Sequence, residues 1–107
     1  MIKRTNLLTL KPKTLDHNII DRINQRQVQM LIHSCIYYTF QTSVIPDATF
    51  DRWAKELVQL QSQYPEETKQ TLYYTQFIGW DGTTGYRLNT YMWEKKAEWL
   101  IEQYDKK

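Results

Sequence analysis

Two apolar stripes of helical period, separated by the short break from Gln41 to Pro46, constrain this chain more than any other feature. Before the break, Ile19, Ile20, Ile23, Val28, Leu31, Ile32 and Cys35 recur at helical intervals; after it, Phe50, Trp53, Ala54, Leu57 and Leu60 do the same. Asp16 is placed to cap the first helix, which is expected to run to about Phe40. The second is expected from Asp47 to about Ser62. Helices joined by so short a connection lie antiparallel and cover each other's stripes.

The break also gathers unlike chemistry. Tyr37 and Tyr38 fall on the last turn of the first helix, and Asp47, Phe50 and Asp51 on the first turn of the second, where i, i+3 and i+4 spacing puts all three on one face. Rings and carboxylates would then face each other across a small cleft that suits a cationic ring. An aromatic face attracts such a ring by about 0.5–2 kcal/mol. The carboxylates add to that preference and accept charge-assisted hydrogen bonds from sugar hydroxyls. His33 lies one helical turn before Tyr37 and could orient it. Each residue also has a plainer use: Asp47 as an N-cap accepting from Thr49 or Phe50, Asp51 as a partner of the helix dipole, the rings as packing between helices, and His33 as a packing or surface histidine.

The same residues resemble the N-terminal helical domain, domain Ia, of bacterial NAD-dependent DNA ligases. That family reads His-x-Tyr-x-Tyr-Tyr/His, a variable stretch, Glu-Ile-Ser/Pro-Asp-Ala-Glu-Tyr-Asp, then a helix with Glu-Leu. His33, Tyr37, Tyr38, Ile45, Pro46, Asp47, Ala48, Asp51, Glu56 and Leu57 fall on it without a gap, and Gln63-Tyr64-Pro65-Glu66 is similar to the family's His-Pro-Glu. The resemblance covers about 31–67 and extends to stand-alone ligase-related small proteins of phages and prophages. It implies binding of NAD or its nicotinamide mononucleotide half, with Tyr37, Phe50, Asp47 and Asp51 on the nicotinamide and ribose. Phe50 stands where the family has tyrosine and so lacks a phenolic hydroxyl, and Cys35 replaces a family aromatic.

Composition narrows the setting. At 107 residues the chain is expected to form a single domain, 1–107, with the ligase-like hairpin at 31–67 inside it. One cysteine excludes an internal disulfide and suits a reducing compartment. The N-terminus has no apolar run of signal-peptide or membrane-span length, so the protein is expected in the cytoplasm of a bacterial host, without a membrane partner. Net charge is only +2, which disfavours a nucleic-acid partner, although Lys3, Arg4, Lys11 and Lys13 form a short basic arm.

The remainder of the chain reads as follows. Thr5 to Leu10 is compatible with a short strand, and Pro65 with two glutamates suggests one further helical turn. Thr71 to Ile78 has strand composition, Asp81-Gly82 is a hairpin signal, and Asn89 to about Tyr104 reads as a last helix through Trp93, Ala97, Leu100, Ile101 and Tyr104. The expected fold is therefore α+β: an antiparallel helical hairpin and a C-terminal helix packed on a small antiparallel β-hairpin or three-stranded sheet.

Catalytic signatures are missing. The adenylated lysine of a ligase lies in Lys-x-Asp-Gly, and here Gly79-Trp80-Asp81-Gly82 has glycine in the lysine position. Two histidines and one cysteine give neither a nucleophilic triad nor a zinc site. The expected function is non-catalytic binding of a nicotinamide nucleotide by an accessory protein of phage or prophage type. Two alternatives stay open: a protein-interaction module on the same scaffold, such as an inhibitor of a host enzyme or defence system, and a single-strand nucleic-acid binder using the basic arm.

Overall fold

The computed structural model describes residues 14–105. The expected strand Thr5 to Leu10 and the basic arm of Lys3, Arg4, Lys11 and Lys13 lie outside the described residues. Helix α1 spans His17–Ser34 and continues into a wider π-helical turn, Cys35–Thr39. Helix α2 is Asp47–Gln63, the short α3 is Pro65–Thr68, and α4 is Glu94–Asp105. Two 3-10 turns, Tyr74–Phe77 and Tyr91–Trp93, punctuate the chain between α3 and α4.

The Asp16 carboxylate accepts from the backbone of Asn18 at 3.0 Å, so the first helix starts where its cap was read. One side of α1 buries Ile23, Met30 and Leu31 against Ala54 and Leu57 of α2, with Phe77 and Leu88 completing that cluster. Its other side carries Ile32, and with Cys35 and Ile36 of the π turn it receives Ala97 of α4. Trp93 packs against both clusters and joins them. Polar contacts fix the hairpin register: Glu56 of α2 bridges Arg22 at 2.6 Å and Arg26 at 3.1 Å, and Gln27 donates to Gln61 at 2.9 Å.

The β part of the expected fold is overturned: the described residues contain no strand, and the architecture is all-α. Thr71 to Ile78 is rich in aromatic and β-branched residues, but its backbone donors are used locally. Tyr74 N–H donates to Thr71 O, Gln76 N–H to Tyr73 O, and Leu72 N–H to the Asn24 side chain of α1. A ladder needs those groups free. The rings serve as plugs instead, with Phe77 buried and Tyr73 edge-on to Trp93. Asp81-Gly82 makes no hairpin either. Gly82 takes φ +83° so that its backbone can lie against α2, where a Cβ would stand 2.9 Å from Val58 Cγ2. The last helix begins at Glu94 rather than Asn89, preceded by the 3-10 turn. Among the described residues no helix is long and apolar enough to cross a membrane.

Candidate functional site

The hairpin ends where the expected cleft should be, and a cavity of about 210 Å³ opens there. His33, Tyr37, Tyr38, Asp47, Phe50 and Asp51 all line it. Ile36, Val44 and Ile45 supply apolar floor, and Thr83 and Thr84 arrive from a distant loop.

Backbone geometry at the two helix ends explains the placement. Phe40 N–H reaches back to Cys35 O, and the widened turn carries Tyr37 and Tyr38 on the surface with their rings edge-to-face at 4.8 Å. Gln41 then reverses the chain with φ +55°. Pro46, not Asp47, is the N-cap of α2: Thr49 and Phe50 donate to Pro46 O at 3.0 and 3.2 Å, and the Asp47 side chain makes no capping bond. Asp47 is therefore the first residue of the helix, and the capping alternative for it does not hold. Among the described residues, the side chains of Asp47 and Asp51 form neither an ion pair nor a hydrogen bond. Both are exposed at the helix N-terminus, where the dipole favours negative charge.

Phe50 serves two purposes. It packs on the core cluster of α1 and α2 and also lines the cleft. His33 is half-buried, its ring tilted against Trp53 at 5.6 Å with Nδ1 buried and unpartnered. Burial pushes its imidazole below the ordinary value, which favours the neutral ring. The walls thus combine aromatic faces, two carboxylates and no cation.

Sequence reasoning missed the third wall. The segment Gly79 to Gly85 crosses the hairpin, and Thr84 Oγ1 bonds the Tyr38 hydroxyl at 2.6 Å. Hydrogen bonds hold the loop: Trp80 Nε1 donates to Thr84 O at 2.7 Å, and Asp81 Oδ1 accepts from Thr83 N–H and its hydroxyl. Those two bonds keep the Asp81 carboxyl below its usual range. Gly85 is buried, and a Cβ there would stand 2.7 Å from Ser34 Cβ and 3.6 Å from Phe50 Cζ. The signal available in sequence was the cluster of all three glycines within seven positions, which marks a close backbone approach. A larger hollow of about 470 Å³ lies on the other side of this loop, but none of the six candidates reaches it. Among the described residues there is no cluster of metal-ligating side chains.

A family model described as the DNA ligase-like, N-terminal NAD+-binding domain matches residues 16–71, from the cap of α1 to just beyond α3. No solved structure matches the chain significantly.

Proposed function

The chain belongs to the DNA ligase-like, N-terminal NAD+-binding domain family, and we propose on that premise that the hairpin cleft binds the nicotinamide mononucleotide half of NAD without catalysing a reaction on it. The observation that carries this reading is the meeting of Tyr37, Tyr38, Phe50, Asp47 and Asp51 around one cavity whose carboxylates have no partner of their own. In the proposed complex, the tyrosines and Phe50 offer faces and edges to the pyridinium ring, and Asp47 and Asp51 accept from the ribose hydroxyls. Drug-sized ligands occupy pockets of about 300–1,000 Å³, so a cleft of about 210 Å³ fits the nicotinamide end and leaves the rest of a dinucleotide outside.

These 107 residues contain no Lys-x-Asp-Gly motif, which supports a binding role for this stretch of chain. Resemblance to the stand-alone ligase-related proteins of phages and prophages supports an accessory role.

Isothermal titration of nicotinamide mononucleotide, NAD and NADH tests the proposal. The oxidised ligands should bind about 2- to 30-fold more tightly than NADH, the range set by one cation–π contact. Asp51→Asn should weaken binding with little loss of stability, since only a helix-dipole contribution of about 0.3–1 kcal/mol is removed. No heat with any of the three ligands, for a protein that still melts cooperatively, rejects the reading. It would leave the interaction-module alternative, for which the exposed side chains of Tyr91, Met92 and Trp99 offer apolar surface.

A further inference from the structure

The family match ends at residue 71, yet the cleft is closed by residues beyond it. We propose that Thr84 is part of the ligand site: the Tyr38–Thr84 hydroxyl pair presents one hydrogen-bond donor to an acceptor oxygen of the bound nicotinamide nucleotide. This rests on the nicotinamide reading and deepens it by assigning a specificity residue outside the family's segment.

Proton counting carries the argument. Tyr38 and Thr84 own one hydroxyl proton each, and their mutual bond at 2.6 Å uses one of them. The Thr84 oxygen also accepts from Tyr86 N–H at 3.1 Å, so one of its two acceptor sites is already engaged from the loop side. Whichever hydroxyl donates to the other, one O–H remains, and both residues line the cleft. Thr83 cannot serve the same purpose, because its hydroxyl and its N–H are both directed to Asp81. Asp47 and Asp51 offer only acceptors when ionised, so a ligand carrying both donors and acceptors finds a complement for each: ribose hydroxyls for the carboxylates, and a carboxamide or ribose oxygen for the hydroxyl pair.

Position reinforces chemistry. Thr84 is held by its own carbonyl to Trp80, and the loop is seated by glycines at 82 and 85 that allow approach to α2 and α1. The donor is therefore in place before a ligand arrives, which lowers the ordering cost of binding.

The test is titration of nicotinamide mononucleotide into the parent, Thr84→Val, Thr84→Ser and Tyr38→Phe, with melting of each ligand-free protein as a control. The Tyr38–Thr84 bond is solvent-exposed, so the melting midpoints should stay close together. Thr84→Val leaves the Tyr38 O–H without the loop-held oxygen that orients it and should weaken binding about tenfold, and Thr84→Ser, which returns that oxygen, should restore it to within about twofold. Tyr38→Phe leaves the Thr84 O–H, still anchored by Tyr86 N–H, and should weaken binding less than Thr84→Val. Parent binding with Thr84→Val unchanged, or with Thr84→Ser as weak as Thr84→Val, overturns the assignment and leaves the nicotinamide reading intact. A folded parent that does not bind overturns both.

Discussion

Single side chains set the electrostatics of the cleft, and His33 is the one whose charge can change near neutral pH. Its burial against Trp53 lowers the folded-state pKa from 6.5, while the unfolded chain keeps the ordinary value. Between the two, the unfolded chain binds more protons, so stability falls as pH drops below about 6.5 and levels off once the folded imidazole also protonates. A protonated His33 would put a positive charge in the wall facing a cationic ring. Affinity for nicotinamide mononucleotide is accordingly expected to decline as pH falls below about 6.5, where the imidazole begins to protonate. His33→Gln should remove that decline, and titration across this range in both proteins checks it; equal slopes would show that His33 does not face the ligand's charge. Gly85 is a purely steric case at the same scale. The Ser34 side chain lies where an alanine methyl would go, so Gly85→Ala is expected to destabilise by about 1–3 kcal/mol, measured by urea unfolding.

Among the elements, α1 and α2 are held together by one carboxylate serving two guanidinium groups. Burial alone would raise the Glu56 carboxyl, but the hydrogen bonds and charges of Arg26 and Arg22 outweigh it and hold the group below its ordinary value. Arg26 also lies over the Trp53 ring at 5.2 Å, tying the pair to the back of the cleft. Glu56→Gln should cost about 1–2 kcal/mol, most of it from the poorly exposed Arg26, and the loss should appear at neutral pH and vanish in acid where the parent carboxylate is itself protonated. The hairpin was legible in the sequence because apolar period reports which face of a helix is buried, and the spacing of Asp47, Phe50 and Asp51 fixed their common face. The region after α3 was misread as strand for a physical reason. Aromatic and β-branched composition reports half-buried packing rather than pairing, and Tyr73 and Phe77 satisfy it from irregular turns. Thr84 was invisible because its contact with Tyr38 spans 46 positions and no local pattern encodes it. The π turn that redirects Tyr37 and Tyr38 left no signature in the apolar period either.

At the scale of the whole molecule, the family-matched segment does not contain the whole of either apolar cluster. Residues 16–71 contain the hairpin and α3, but their apolar faces are completed from outside: Phe77 and Leu88 close the cluster over Met30 and Leu57, and Ala97 with half-buried Leu100 and Ile101 covers Cys35 and Ile36. Each large apolar side chain fully buried contributes about 1.5–3 kcal/mol. Removing Phe77, Leu88 and the α4 face together would therefore subtract an amount comparable with the roughly 5–15 kcal/mol that holds a typical domain. The same truncation takes away Thr83 and Thr84, the third wall of the cleft. A fragment ending at Thr71 is thus expected to retain helical circular dichroism, lose its cooperative melt and exchange its α1 amides rapidly, while the full chain melts in one transition. Nicotinamide mononucleotide should stabilise only the full chain, by about 2.7 kcal/mol at a hundredfold excess over its dissociation constant. A fragment that melts cooperatively at the full chain's midpoint and keeps the same affinity would show that the hairpin alone is the working unit and that the C-terminal third serves something other than this cleft.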